Sequence, residues 1–137
     1  MIDFDTRFGR RALRKLKHES IVWLTSVDAA GHPQPRPVWF HWNGDDVLIY
    51  SQPGAGKVRQ IADNPHVALH FNADEFGNDV VVLLGEARRL AEVPAERQKA
   101  YLRKYRGGIL DLDMTPESFL AEYSIPLVVR PTTLRGF

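Results

Sequence analysis

Three prolines stand at every second position in the stretch His32-Pro33-Gln34-Pro35-Arg36-Pro37-Val38-Trp39-Phe40. Proline has no backbone N–H and clashes with a helical turn, so this segment is extended. In an extended chain the amides of residues two apart point the same way. Pro33, Pro35 and Pro37 therefore strip the donors from one edge, while Gln34, Arg36, Val38 and Phe40 keep theirs on the other. One edge can join a sheet. The opposite edge has no ladder to make and must face solvent, a second subunit or a ligand. Two readings follow: an edge strand guarded against aggregation, or a rigid strand that lets a planar ligand approach the backbone.

The rest of the chain surrounds this strand with short strands joined by turns. Phe8, Ala12, Leu13 and Leu16 fall at helical spacing and predict an amphipathic helix over 6–17, capped by Asp5 or Thr6. Residues 21–27 read as a strand, 28–31 as a turn in which Gly31 is free to take positive φ, and 34–42 as a second strand. Asn43-Gly44 predicts a type I′ hairpin turn into a third strand over 47–51. Residues 57–62 read as a short helix ended by Asn64-Pro65. Alternation over 66–72 gives a strand, and 80–93 a long one with Gly85 as a candidate bulge. Pro94 opens a helix that Gly107-Gly108 closes near residue 105. Thr115-Pro116 caps and starts another helix. A final strand over 125–134 is broken at Pro131. Hairpins and a meander with inserted helices make one domain over 1–137. It is all-β/α+β, an antiparallel barrel or sheet with peripheral helices, and not a βαβ series.

Composition removes several chemistries. The 137 residues suffice for one core. The absence of cysteine excludes disulfides, zinc–thiolate sites and thiol catalysis. Eighteen basic residues against seventeen acidic ones argue against broad nucleic-acid binding. No apolar run is long enough to span a membrane. The opening Met1-Ile-Asp-Phe-Asp lacks a basic stretch before an apolar run, so no secretory leader is expected and the cytoplasm is the default location. Neither GxGxxG nor GxxxxGK[ST] is present, and no serine lies in GxSxG. His66 and His70 would be roughly 13 Å apart along a strand, too far to chelate one ion, so no metal site is expected. Asp111 and Asp113 fall in a polar loop, without the cleft that paired-carboxylate catalysis needs. His41 follows the proline strand as a candidate acid or base, although a structural histidine is the commoner outcome. No catalytic side chain is assigned. The first helix carries Arg7, Arg10, Arg11, Arg14, Lys15 and Lys17, read as a solvated face or as a contact for an acidic cofactor tail.

The segment Tyr50-Ser51-Gln52-Pro53-Gly54-Ala55-Gly56-Lys57-Val58-Arg59 places a hydroxyl, an amide, glycines and two cations just before a helix, a combination suited to phosphate. Together with Gln60-Ile61 and Asn64-Pro65-His66-Val67-Ala68-Leu69, this segment resembles the pyridoxamine 5'-phosphate oxidase-like, FMN-binding split-barrel superfamily. The stretch Val27-Asp28, Gly31 and Pro35-Arg36-Pro37-Val38-Trp39-Phe40 resembles its actinobacterial branch that uses the deazaflavin coenzyme F420. The resemblance covers nearly the whole chain. It implies a six-stranded antiparallel split barrel with peripheral helices, forming a homodimer with cofactor clefts between subunits. It implies that Lys57 contacts the cofactor phosphate and that Ser51 and Gln52 line the phosphate and ribityl region. Arg36, Pro37, Val38 and Trp39 would lie along the ring, with Arg59 near the phosphate end. The implied activity is F420-dependent hydride transfer to a small organic acceptor. The alternatives are an FMN-dependent reductase or oxidase, or a non-catalytic flavin- or haem-binding protein. True pyridoxamine phosphate oxidases carry a further lysine in the second strand. Val38-Trp39-Phe40-His41-Trp42 has none, so that substrate is not implied.

Overall fold

A computed structural model describes all 137 residues. The chain runs α1 (Arg7–His18), β1 (Val22–Val27), β2 (Pro33–Val38), β3 (His41–Trp42), β4 (Val47–Ser51), α2 (Gly56–Asp63), β5 (His66–His70), β6 (Val81–Arg89), α3 (Ala95–Lys104), α4 (Arg106–Asp111), α5 (Pro116–Glu122) and β7 (Ile125–Gly136). One antiparallel sheet carries all seven strands in the order β2-β1-β5-β6-β7-β4-β3. Its two outermost strands, β2 and β3, are joined by only Trp39 and Phe40. A chain covers at most about 3.6 Å per residue, so Val38 and His41 lie within roughly 11 Å of each other. The two ends of the sheet must therefore curl together, which makes the sheet a split barrel.

Burial follows from that closure. Alternate residues of β1, β5 and β6 point into the barrel, among them Val22, Leu24, Val67, Leu69, Val81 and Leu83, while their neighbours stay half-buried or exposed. In β4 every residue is buried. Val47 and Ile49 belong to the barrel core, whereas Leu48 and Tyr50 join a second cluster with Tyr101, Tyr105, Ile109, Phe119 and Val128. A helical layer of α3, α4 and α5 thus covers the outside of β4 and β7, and no helix covers the outside of β1, β5 and β6.

The proline strand behaves as its sequence requires. β2 pairs only with β1, in the register Val22↔Val38 to Val27↔Pro33, and its other edge is open. The strand expected over 34–42 is two strands, which raises the count from six to seven. The cause lies in α3. The Phe40 N–H donates to Tyr105 Oη at 2.8 Å. The Phe40 carbonyl accepts from Lys104 Nζ at 2.8 Å and from Tyr105 Oη at 2.9 Å. Both backbone groups are satisfied by side chains, so no ladder continues through Phe40.

Other boundaries shift for identifiable reasons. The hairpin at 43–46 forms, but only Gly44 has positive φ, at +103°, and Asn43 Oδ1 accepts from the amides of Asp45 and Asp46. This is the glycine-first type of turn and not type I′. β6 stops at Arg89, short of Val93. Gly107 and Gly108 do not end α3; they lie within α4. β7 is one continuous strand through Pro131. Its register steps where Leu84 faces Thr133 and Gly85 faces Pro131, leaving Thr132 as the extra residue. A Cβ at Gly85 would fall 2.4 Å from the Arg130 carbonyl oxygen, so glycine is required there. Thr6 caps α1 by accepting from the Gly9 amide, and Thr115 and Ser118 form the capping box of α5.

Candidate functional site

The break after β2 sets the site. Val38 is buried and turns inward, and Trp39 then leaves the sheet and packs on the helical layer. Its indole stacks on Tyr105 at 4.5 Å with an interplanar angle of 1° and lies 5.7 Å from the Phe119 ring. Gly108 makes room for it, since a Cβ there would sit 2.9 Å from Trp39 Cη2 and Cζ2. In front of this wall lies a cleft of about 230 Å³. Pro37, Val38, Trp39, Tyr50, Phe119 and Tyr123 contribute its apolar surface, and Lys57 is its one cationic side chain.

Lys57 occupies the first turn of α2, whose first residue is Gly56 and whose N-terminus has no side-chain cap. Free amides and the positive end of the helix dipole therefore lie beside the ammonium. Burial pushes the Lys57 pKa down, and the Arg36 charge pushes it the same way. Burial also lowers Arg36. Arg36 donates to Ser26 Oγ at 2.8 Å and to Gln60 Oε1 at 3.2 Å, and Ser26 Oγ donates to the same Gln60 oxygen at 2.6 Å. Ser26 is fully buried. Neither Arg36 nor Lys57 takes part in any of the chain's salt bridges. Two partly desolvated cations held close without a carboxylate are unfavourable by themselves and favourable around an anion.

The residues expected at the site divide into three groups. Lys57, Pro37, Val38 and Trp39 line the cleft together, and Arg36 stands beside Lys57. Ser51 is buried and donates to the Gln52 carbonyl at 3.1 Å, and it is not part of the cleft surface. Gln52 is exposed and donates to Glu122 at 2.9 Å, which ties the loop to α5. Arg59 is exposed on α2 and lies outside the cleft. His41 is outside it as well. Its ring is half-buried with Nδ1 unpartnered, and burial, then Arg97 and Lys104, lower its pKa. His70 stacks on Trp23, and His66 is exposed near Glu86. Arg11 and Lys15 of α1 pair with Asp79 at 3.1 and 2.8 Å, so these two cations brace a loop.

The sequence assigns no individual role to Tyr50, Tyr101, Leu112, Phe119 and Tyr123 of the cleft, nor to the Ser26–Gln60 pair behind Arg36. Tyr101 with Tyr105, and Phe119 with Tyr123, are each four apart on a helix, a spacing that puts aromatics on one face. That signal marks a packed face without saying that it borders a cleft. Chemically, the cleft offers a cation, phenols whose pKa burial raises at Tyr50 and Tyr101, and flat apolar walls. It contains no nucleophile–base pair. No cluster of three or more His, Asp or Glu that could hold a metal is formed anywhere in the chain. The arrangement suits a ligand with a flat ring and an anionic group, and such a ligand would bring its own chemistry.

The pyridoxine/pyridoxamine 5'-phosphate oxidase of Yersinia pestis is 31% identical over 78 residues, 56% of this chain and 36% of that protein. The same enzyme of Edwardsiella ictaluri is 29% identical over 91 residues, 65% of this chain and 42% of that protein. The chain thus spans well under half the length of these relatives. Among solved structures, an F420 reductase superposes with a TM-score of 0.65 at 23% identity, covering 89% of this chain and 94% of its own. The haem storage protein HutZ of Vibrio cholerae superposes with a TM-score of 0.71 at 15% identity, covering 96% and 95%. An FAD-binding protein of Mesorhizobium loti reaches 0.69 at 13% identity, covering 92% and 89%. These likenesses show the split-barrel fold. The family profile described as pyridoxamine 5'-phosphate oxidase matches residues 10–121, and on that match the chain belongs to the pyridoxamine 5'-phosphate oxidase family.

Proposed function

We propose that this protein is a cytoplasmic F420-dependent oxidoreductase that moves hydride between the deazaflavin and a small organic acceptor. The observation that carries the reading is the uncompensated cation pair Lys57 and Arg36 beside an aromatic-walled cleft. Lys57 and the α2 amides would hold the cofactor's phosphate, and Pro37, Val38 and Trp39 would lie along its ring. A bound deazaflavin supplies the hydride-carrying carbon. The chain's own residues bind, orient and exclude water. Trp39 is fixed by Tyr105 and Gly108, so the ring would meet a rigid surface.

F420 is favoured over FMN by what lies beyond Lys57. Gln52, Pro53, Gly54 and Arg59 are all exposed, with Gln52 tied to the Glu122 carboxylate, and in this reading a phosphodiester that continues into an acidic tail leaves past Arg59. A terminal phosphate monoester needs no such exit. FMN-dependent chemistry on the same residues is the second reading, favoured by the family to which the chain belongs. Fluorescence titration of both cofactors at one ionic strength separates them. F420 should bind with micromolar or tighter affinity and FMN at least about tenfold more weakly. Preferential FMN binding would replace the first reading by the second. Binding of either without turnover across a panel of acceptors would leave a non-catalytic flavin carrier. Binding of haem alone would point to a haem carrier.

The proposal includes a homodimer. A cleft of about 230 Å³ is smaller than the usual volume of a small-molecule site, so one chain provides only part of an enclosure. The outer sheet face supplies the surface for a second copy. Cross-strand neighbours Pro35, Thr25, Ala68, Leu84 and Thr133 form one row, and Pro37, Trp23, His70 and Val82 the next. No helix packs over them.

A further inference from the structure

We propose a second ligand site, for a compact organic anion with an apolar body, in the groove between α3, α4 and the start of α5. This groove measures about 620 Å³, a volume typical of small-molecule sites, and it lies on the helical layer apart from the cleft. Leu102, Ile109, Leu110 and Met114 supply its apolar surface, and Lys99, Arg103 and Arg106 its charge. No carboxylate lines it.

The three cations are exposed, and two details of the groove bear on what they could bind. Arg103 has a structural role, since it lies in the last turn of α3 and complements the negative end of that helix. Arg106 follows the α3 C-cap Tyr105 and opens the six-residue α4, so it stands at the same helix end as Arg103 and is exposed like it. Neither arginine makes a salt bridge, and Lys99 has only an exposed contact with Glu96 at 3.5 Å, which is worth little. The chain carries a net charge of only +1, so three cations without an acid in one groove are a local concentration. The second detail is apolar. Leu110 is 64% exposed and projects from α4 beside these cations, although Ile109 next to it is fully packed. Folding gains nothing from the exposed leucine, and neither arginine has an acidic partner. An anion with an apolar body satisfies both.

The test uses the full-length protein and a matched pair of fluorescent probes. 8-Anilinonaphthalene-1-sulfonate carries the anion, and N-phenyl-1-naphthylamine has the same rings without it. In the Lys57→Ala background, which takes the cation out of the cleft, the sulfonate should bind saturably at one site per chain, with affinity falling as salt is raised. The neutral probe should bind several-fold more weakly. Arg103→Glu/Arg106→Glu should weaken the sulfonate by at least about tenfold and leave the neutral probe unchanged. In the parent the cleft can take a second sulfonate, so the Lys57→Ala background keeps the two sites separate. Circular dichroism verifies the fold of each variant, and Arg106→Gln, whose loss should be several-fold, serves if the double reversal unfolds. Equal binding of the two probes, sulfonate binding indifferent to both arginine variants, or its loss in Lys57→Ala would overturn the proposal. A change of oligomeric state in the arginine variants would also overturn it, assigning the groove to a subunit contact.

Discussion

Replacing Lys57 by alanine separates two quantities that usually fall together, ligand affinity and fold stability. A hydrogen bond to a charged group contributes roughly 1.5–3 kcal/mol, which corresponds to about a ten- to hundredfold loss of affinity for a phosphate-bearing cofactor. Arg36 remains beside the vacated position and can still hold the phosphate, so the loss belongs at the lower end of that range, and the Arg36→Ala/Lys57→Ala pair should lose more than the sum of the two single variants. Stability should move the other way. Burial, then Arg36, disfavours the charged Lys57 in the ligand-free fold, so removing the charge relieves strain and the apparent Tm should hold or rise. The sign also fixes the pH dependence. The folded pKa lies below the ordinary 10.5, so the unfolded chain binds more protons between the two values. The penalty is therefore fully present below the folded pKa and fades as pH rises towards 10.5. The alanine variant should lack that rise. Cofactor titration at low and high salt, paired with thermal unfolding of the free protein, gives both readouts. A variant that binds as tightly as the parent, or a drop of several degrees in Tm, would refute the reasoning. If Arg59→Ala loses affinity and Lys57→Ala does not, the phosphate is held by the exposed cation instead.

Tyr105→Phe leaves the Phe40 amide without its partner, while the Phe40 carbonyl keeps Lys104, and should lower stability by about 1–3 kcal/mol in denaturant unfolding, with a shift in Trp39 fluorescence. Gly108→Ala forces the indole to move and should weaken ring-bearing ligands more than inorganic phosphate in competitive titration. Lys104 has its pKa lowered from 10.5 to about 8 by burial, so it contributes a rise in stability above that pH that Lys104→Met should remove. Measurement should stay below about pH 10, because burial raises Tyr101 and Tyr105 and their contribution has the opposite sign there. Light scattering should give a dimer, and Leu84→Asp on the open sheet face should shift it towards monomer.

The backbone rules carried most of the fold. Proline alternation placed β2 at a sheet edge, and Thr115-Pro116 placed α5 to the residue. What local rules missed is long-range. Nothing within 34–42 announces that Phe40 will be taken by a tyrosine and a lysine more than sixty positions later, so one strand became two. Gly107-Gly108 reads as a helix stop by propensity, yet Gly108 is required by the bulk of Trp39. Pro131 reads as a break because its partner Gly85 is far away in sequence. The site divides along the same line. Lys57 and Pro37 to Trp39 were legible because one helix start and one strand end present them. Ser51 and Gln52 adjoin that helix in sequence but bond elsewhere, and the aromatic half of the cleft comes from α3 and α5, which only tertiary packing brings near.

The two-residue join between β2 and β3 makes the cleft a late product of synthesis. Its near wall is Trp39, but the groups that hold Trp39 and Phe40 in place lie at 104, 105 and 108. A nascent chain that has emerged as far as β6 already contains Lys57 and the proline strand, yet has nothing to pin the seam. Ligand capture therefore has to wait for α3 and α4 to dock. The amide of Phe40, bonded to a side chain and not to a neighbouring strand, should exchange with solvent at the rate at which α3 lifts from the barrel. Slow exchange there would report an intact cleft more directly than any amide within the ladder.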